Sequence, residues 1–293
     1  MTNSHAIETR RGLEHVKKLV NSLDGWEFLH EKEGVKVYNK PQEDSALPLL
    51  IRGDTTLDSA EGCTPREYAS STILPGCRKI WDPNFEWGEL VERYSRDEIM
   101  VWLQLKAPWP ISARDLAITS VRETDEDVIY LSMVSVQDDQ IPPKSGYVRG
   151  NLMLSGWKIW KQDQGLGVIF VNQIDLAGSL PSVFLRTTQQ DAVLAAGRAA
   201  RYIQANGFPP SAQVSDEIKF KEESFDHAKH EYVFEAEGTG TAECLASSKM
   251  YPGGVKVNVD GSATPEIVDA PGGHLKVLIK DIQGHIVVRI NRK

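Results

Sequence analysis

The segment Ala-Pro-Trp-Pro-Ile-Ser-Ala-Arg-Asp-Leu, residues 107–116, joins two stretches whose residues alternate in the manner of strands. Glu98–Leu105 precedes it and Leu116–Glu123 follows it. Two prolines restrict the connecting loop, and the Arg114-Asp115 pair precedes the second strand. Because consecutive strands on short connections pair antiparallel, the segment predicts a turn within an antiparallel sheet.

The pattern on either side of this segment predicts further strands between helices. Helical spacing predicts an amphipathic helix over His5–Leu23 and a second over Thr64–Thr72, with Thr64 as its N-cap. The remaining strand predictions cover Gly34–Lys40, Pro48–Leu57, Gly88–Tyr94, Val128–Val136, Tyr147–Lys161 and Gly167–Asp175. After Pro181 the period is helical again, and Ser182–Asn206 predicts one long helix that ends at Gly207.

Residues 211–293 return to a β pattern, with several alternating runs separated by Gly-rich turns. A chain of 293 residues is long for one core. We therefore expect two domains, residues 1–210 and residues 211–293, and the second as a small all-β sandwich or barrel.

Composition excludes several classes of protein. The chain is 41% hydrophobic and 25% charged with a formal net charge of -8, which is typical of a globular protein and does not favour nucleic acid. Its apolar runs are far shorter than a membrane span, and its N-terminal residues carry charges where a signal peptide is apolar. Three scattered cysteines favour reduced thiols, so we expect a cytoplasmic protein.

Further motifs in the same order sharpen the fold prediction. Trp81-Asp82-Pro83 and Trp87 precede the segment of residues 107–116; Gly156-Trp157-Lys158-Ile159, Gln173-Ile174-Asp175, Gly178 and Pro181 follow it. Together they resemble the START lipid-transfer family over about residues 26–208. The resemblance implies an α+β helix-grip fold, in which a curved antiparallel sheet is closed by a long C-terminal helix. It also implies one lipid held in the cavity and loops that open at a membrane.

One departure from the family affects the choice of lipid. Some sterol-binding relatives carry an acid and an arginine inside the cavity, thirteen residues before and six residues after the motif arginine. Counted from Arg114, these positions hold Val101 and Ser120, so the ion pair is missing. The pair therefore gives no basis for assigning a sterol, and the expected ligand is left as a phospholipid, a sterol or another apolar molecule.

The alternation of side chains along a strand, together with the family resemblance, gives the candidate site. Val101, Leu103 and Leu105 share one strand face, and an apolar face is either ordinary core or the lining of a cavity. The other ligand-binding candidates are Ser120, Arg122, Phe184, Thr188 and Ala195, and the lid and gate candidates are Trp109, Gly178, Pro181 and Gly197. Gly197 marks a possible bend, because glycine weakens a helix interior.

Two of these motifs admit two interpretations each. Arg114 could clamp a lipid headgroup, but we favour a role in tying the Pro-rich loop to the sheet. Trp109 could contact a membrane if exposed, but we favour an indole packed inward as a loop anchor.

The sequence favours binding over catalysis. It has no nucleophile elbow, zinc-protease motif or phosphate loop, and His227 and His230 would face opposite sides of a strand, so we expect no metal and no cofactor. The leading hypothesis is non-enzymatic transfer of one lipid with transient membrane contact. A helix-grip cyclase or hydrolase and a lipid-sensing regulator remain as alternatives.

Overall fold

The computed structural model describes residues 2–58, 62–109, 111–125, 127–178 and 180–293, apart from the side chain of Ser182. Two compact units divide the chain. The first, which we call the large-sheet unit, comprises the described residues of Met1–Asp58 and Trp81–Ala200. The second, the small-sheet unit, comprises those of Ser59–Ile80 and Arg201–Lys293.

Five helices and fifteen strands make up the described chain. The helices are α1 (Ala6–Val20), α2 (Pro65–Ile73), α3 (Pro75–Trp81), α4 (Ser182–Ala192) and α5 (Ala195–Asn206). The strands of the large-sheet unit are β1 (Glu27–Lys32), β2 (Val35–Lys40), β3 (Leu50–Leu57), β4 (Phe85–Arg93), β5 (Glu98–Leu105), β6 (Arg114–Asp125), β7 (Val128–Ser135), β8 (Val148–Arg149), β9 (Asn151–Lys161) and β10 (Leu166–Asp175). Those of the small-sheet unit are β11 (Gln213–Val214), β12 (Ile218–Asp226), β13 (Glu231–Ala246), β14 (Val255–Ala270) and β15 (His274–Arg292).

The large sheet is antiparallel and has the order β1-β2-β3-β10-β9-β7-β6-β5-β4, while the short β8 pairs parallel with β6. Four of the neighbouring pairs in this order, β1-β2, β4-β5, β6-β7 and β9-β10, are joined by short turns. The long connection from β3 to β4 carries α2 and α3 instead. The antiparallel sheet with helices confirms the predicted α+β fold class.

Helix α1 covers one face of the large sheet, which we call the outer face. Val16, Leu19 and Val20 pack there against Leu154 and Ile169. The helix approaches the strands closely because β9 has no side chain at Gly156, where a Cβ would lie 2.2 Å from a methyl group of Val16. The Gly of the Gly156-Trp157 motif therefore serves packing on the outer face.

The opposite, inner face of the large sheet meets α4 and the turn that follows it. The sequence predicts one helix over Ser182–Asn206, but the structure breaks it at Val193 and Leu194, between α4 and α5. The break lies over Gly53, where a Cβ would stand 2.8 Å from the carbonyl oxygen of Val193. This close approach involves a residue distant in sequence, so local helical periodicity could not have predicted it.

The small sheet has the order β11-β13-β15-β14, and β12 also pairs with β13. Residues after Asn206 are thus built from strands, as predicted. The sequence predicts a small all-β domain, and the described strands form one five-stranded antiparallel sheet that fits this prediction. Two of the alternating runs in the sequence, at His274–Asp281 and at Gly284–Ile290, belong to one strand of 19 residues that continues through Asp281 and Gly284 at positive φ.

Helices α2 and α3 belong to the small-sheet unit. Thr64 and Glu67 form a capping box at the start of α2, which confirms the prediction that Thr64 is the N-cap of this helix. In α3, Gly76 lies so close to β12 that a Cβ would be 1.7 Å from the carbonyl oxygen of Phe225. Because this helical segment comes from the middle of the chain, the units are not the two consecutive stretches that a boundary at residue 210 would give.

Candidate functional site

The inner face of the large sheet carries the candidate site. Cross-strand register places Val101 opposite Ile118 and Leu103 opposite Leu116, so these four side chains share one face. The buried members of the apolar cluster on this face are Leu116, Ile118, Leu152, Ile174 and Leu176. Partly buried residues packed against it are Val101, Leu103, Leu105, Met133, Leu180 and Leu185.

The two faces of β5 differ in how completely they are covered. Val101, Leu103 and Leu105 on the inner face keep part of their surface accessible. Met100, on the other face, is fully buried in a separate cluster with Ala117 and Ile141. The candidate residues therefore lie together on the less completely covered face.

Ser120 and Arg122 follow Ile118 on the same face of β6. Ser120 is partly buried. Arg122 is also largely buried, but its Nε donates to Asp97 Oδ1 at 2.9 Å, and its backbone nitrogen donates to the Asp97 carbonyl at 2.8 Å. The guanidinium thus has a partner on the turn that joins β4 to β5.

The helices contribute different side chains from those that the sequence favoured. Leu180 and Leu185 pack against the inner-face cluster. The predicted Phe184 and Thr188 are partly exposed on α4, and Ala195 is the partly buried first residue of α5. Leu185 could have been found only by knowing which side of α4 meets the sheet, because Phe184 and Leu185 are equally apolar.

Arg114 ties the start of β6 to the segment that precedes α4. Its Nε donates to the Leu176 carbonyl at 2.9 Å, and one terminal nitrogen donates to the Ala177 carbonyl at 3.1 Å. The other terminal nitrogen donates to the Ser112 carbonyl. Burial lowers the pKa of Arg114 from its usual value. These contacts confirm the interpretation of Arg114 as a tie between loop and sheet.

Asp115, which follows Arg114 in the motif, lies on the opposite face of β6. It is fully buried and receives two hydrogen bonds from Arg149, at 3.1 and 2.7 Å, and one from the Trp102 indole at 3.1 Å. The two charges of the motif therefore stabilise two different parts of the sheet.

The predicted gate residues lie around the start of α4. Ala177 and Gly178 both have positive φ, 50° and 75°, and Pro181 occupies the N-cap position of α4. Ser179, between the gate candidates Gly178 and Pro181, is outside the described residues, as is Pro110, which follows Trp109. Gly197 is buried within α5, four residues after the observed break at Val193.

Trp109 corrects a prediction. We expected the indole to pack inward as an anchor, but 93% of the residue's surface is exposed. The loop is held instead by Arg114, which bonds the backbone of Ser112, so the loop does not depend on the indole. Val183, at the second position of α4, is also exposed, at 78%.

The inner face also contains polar side chains that the sequence analysis did not single out. Asn172 on β10 and Ser155 on β9 lie directly opposite each other. Both are buried, although the surrounding face is mainly apolar. The alternation of apolar and polar residues in the sequence did not single out Asn172 or Ser155. A polar residue in a strand can be recognised as buried only once the structure shows which face of the sheet is covered.

The described residues contain no group of three or more His, Cys, Asp or Glu side chains that could hold a metal ion. His227 and His230 lie on the turn between β12 and β13, not on a strand as predicted, with ring centroids 5.6 Å apart. The hydroxyl of Tyr202 bonds His227 Nδ1 at 2.9 Å. All three cysteines are free and buried, and burial raises the pKa of Cys77 to about 12.

An antiparallel sheet whose inner face is apolar and met by C-terminal helices defines a helix-grip protein. The START domain family model matches residues 12–198, which is more than half of the chain. The chain belongs to the START domain family, as the motifs predict. The match begins within α1, earlier than the expected start near Trp26.

Three relatives illustrate the range of similarity. Phosphatidylcholine transfer protein of Mus musculus is 29% identical over 128 residues, which are 42% of this chain and 57% of that protein. The chain thus spans little more than half the length of this curated relative. Human StAR-related lipid transfer protein 5 superimposes with a TM-score of 0.61 at 20% identity, over 68% of this chain and 96% of that one. An acetyl-coenzyme A thioesterase of Rattus norvegicus is 22% identical over 55% of this chain and 28% of that protein.

No described helix is both long enough and apolar enough to cross a membrane.

Proposed function

We propose that the chain binds one lipid in a cavity on the inner face of the large sheet and carries it between membranes without catalysing a reaction. The observation that carries this proposal is the incomplete burial of Val101, Leu103 and Leu105 on the face that meets the C-terminal helices. Met100, packed on the opposite face of the same strand, is by contrast fully buried. Membership of the START family and the similarity to a phosphatidylcholine transfer protein support a lipid as the occupant.

The loop before β6 and the start of α4 would form the membrane contact. Trp109 and Val183 are both exposed, and Arg114 holds their two segments at one end of the sheet through Ser112 and Ala177. An exposed tryptophan favours the interface between water and lipid. A lipid could then enter where the two segments meet, with the hinge near Gly178 opening the path.

The first test is native mass spectrometry of the protein purified from cells, followed by extraction and identification of any bound molecule. One lipid per chain supports the proposal. A protein that carries no lipid and takes none from vesicles contradicts it. A bound lipid that the protein also cleaves would favour the enzyme alternative.

A substitution on β5 tests the position of the cavity. Leu103→Trp should fill empty space, so lipid uptake should fall while stability stays nearly constant. Met100→Trp is the matched control on the opposite, filled face, and overpacking there should cost about 1 to 3 kcal/mol of unfolding free energy. Urea unfolding and uptake of a fluorescent lipid measure both quantities. Equal destabilisation by the two variants would show that Leu103 lies in packed core.

A second substitution tests the membrane contact. Trp109→Ala should slow transfer between vesicles several-fold, because an exposed tryptophan favours the membrane interface and its loss weakens the contact. The amount of lipid bound at equilibrium should not change, since Trp109 is exposed rather than in the inner-face cluster. A variant with unchanged transfer would exclude Trp109 from the contact.

We place the protein in the cytoplasm and expect no nucleic-acid partner. The three buried free thiols suit a reducing compartment. The net charge of -8 disfavours binding to phosphate backbones.

A further inference from the structure

A row of side chains crosses the inner face of the large sheet at one level. Strand register places its members next to one another across six strands, in the order Asn39, Ile51, Asn172, Ser155, Met133 and Ser120. Four of the six are uncharged polar residues. We call these four the polar row.

The polar row contains hydrogen-bonding groups that the protein leaves without partners. Asn172 is only 7% exposed and Ser155 only 3%, and neither side chain hydrogen-bonds any other described residue. The side-chain oxygen of Asn39 is buried and also has no partner among the described atoms. Asn39 Oδ1 is fully buried and unpaired, and the largely buried side chains of Asn172 and Ser155 make no hydrogen bond to the described residues, so these groups can take a partner from outside the chain.

The chemistry of the row limits what that partner can be. An amide both donates and accepts hydrogen bonds, and the free oxygen of Asn39 needs a donor. A hydroxyl group satisfies both requirements, whereas a phosphate or quaternary ammonium group offers no donor and would bring a charge. The two arginines of β6 are already engaged, Arg114 with backbone carbonyls and Arg122 with Asp97.

We infer that the polar row binds the polar end of an uncharged lipid that carries a free hydroxyl group, as a diacylglycerol does. This inference rests on the proposed function and specifies its ligand class. The acyl chains would then lie along the apolar residues of the inner face, among them Leu103 and Leu116.

Three pyrene-labelled lipids test the inference directly. Vesicles would contain a diacylglycerol, the same lipid with its hydroxyl acetylated, or a phosphatidylcholine, and the label taken up by the protein would be measured after separation from the vesicles. Wild type should take up the free-hydroxyl lipid about three to ten times better than the acetylated one, the range that one or two hydrogen bonds supply. Phosphatidylcholine should also be taken up less well.

Substitutions in the polar row provide the second part of this test, with the same lipid-uptake measurement. Asn172→Leu should reduce the preference for the free hydroxyl to nearly none, and Ser155→Ala should reduce it in part. Asn151→Leu, at the exposed first position of β9, is the matched control and should keep the preference. Asn172→Leu should also leave the Tm of the lipid-free protein unchanged or higher, because it removes an unpaired buried amide.

The outcomes separate this inference from the proposed function. Equal uptake of the three lipids by wild type, or a preference that survives both Asn172→Leu and Ser155→Ala, overturns the inference and leaves lipid binding in place. No uptake of any lipid overturns both. If Asn172→Leu does not fold, Ser155→Ala against Asn151→Leu decides the question alone.

Discussion

The two sheets of this chain have the same antiparallel construction but differ in how their covered faces are filled. On β15 of the small sheet, the inward residues Val277, Ile279, Ile286 and Val288 are all fully buried. On β5 of the large sheet, the corresponding apolar residues keep part of their surface accessible. The small sheet has a closed core, whereas the large sheet has a face that its own side chains cover incompletely.

Polar residues sharpen the same contrast. In the small-sheet unit, the buried Tyr232 hydroxyl donates to Glu223 at 2.6 Å and accepts from the Ala212 nitrogen at 3.0 Å. In the large-sheet unit, Asn172 is as deeply buried as many core residues but has no such partner among the described residues. The small-sheet unit has a buried unpaired group of its own, the Tyr251 hydroxyl. The inner face of the large sheet combines unpaired polar groups with incomplete cover of its apolar residues, and that combination favours a binding face over a core.

The two units can be followed separately in solution. All 7 tryptophans of the chain lie at positions in the large-sheet unit, and all 3 cysteines lie at positions in the small-sheet unit. Tryptophan fluorescence therefore reports unfolding of the first unit. Thiol labelling reports opening of the second, because its cysteines are buried when it is folded.

The largest expected effect is on the closed core. Phe234 is fully buried and stacks on Phe220, with ring centroids 6.2 Å apart, so Phe234→Ala should cost about 3 to 5 kcal/mol of stability. Leu103→Ala should cost about 1 kcal/mol, because a partly exposed side chain loses less buried apolar area. Urea titrations read by thiol labelling for Phe234→Ala and by fluorescence for Leu103→Ala measure the two losses. Similar losses would mean that both faces are ordinary core.

An intermediate effect is expected where the helix break rests on the large sheet. Gly53→Ala would place a Cβ against Val193, so the break must shift, at a cost of about 1 to 3 kcal/mol. If α4 and α5 close the lipid cavity, the shift should also accelerate lipid exchange with vesicles. Fluorescence-monitored unfolding and stopped-flow exchange measure the two effects.

Gly156→Ala is the matched control for Gly53→Ala. It places a Cβ against Val16 of α1 on the outer face, so it should destabilise the same sheet by a similar amount. Lipid exchange should stay at the wild-type rate. Exchange that rises equally in both variants would reflect general loosening of the sheet and not the helix break.

Local sequence signals predicted local structure well. Thr64 and Pro65 gave the start of α2, and alternation gave the bounds of β5 without error. The family motifs gave the fold of the large sheet, because Arg114, Gly156 and Trp157 each have a fixed role in it. Trp157, for example, stacks on Phe170 across the strands at 4.1 Å.

The features that the sequence did not predict depend on contacts between distant segments. The break after α4 depends on Gly53, and the polar row appears only when the register of six strands is known. The exposed position of Trp109 was also not predicted, because the sequence does not show on which side of the loop the indole lies. Binding features are therefore harder to predict than the elements that carry them, since a site combines residues that the chain order separates.

The smallest expected effect concerns Arg122, the one predicted site residue that carries a charge. Its ion pair with Asp97 is part-exposed on the Asp97 side, so Arg122→Leu and Asp97→Asn should each cost less than about 1 kcal/mol. If Arg122 serves only the turn between β4 and β5, the two variants should also bind phosphatidylcholine and diacylglycerol with the wild-type preference. We expect this result, because the guanidinium already has a partner and the polar row requires no charge. A selective loss of phosphatidylcholine binding in Arg122→Leu, absent from Asp97→Asn, would place Arg122 at a lipid headgroup and give the binding face a charged contact as well as a polar one.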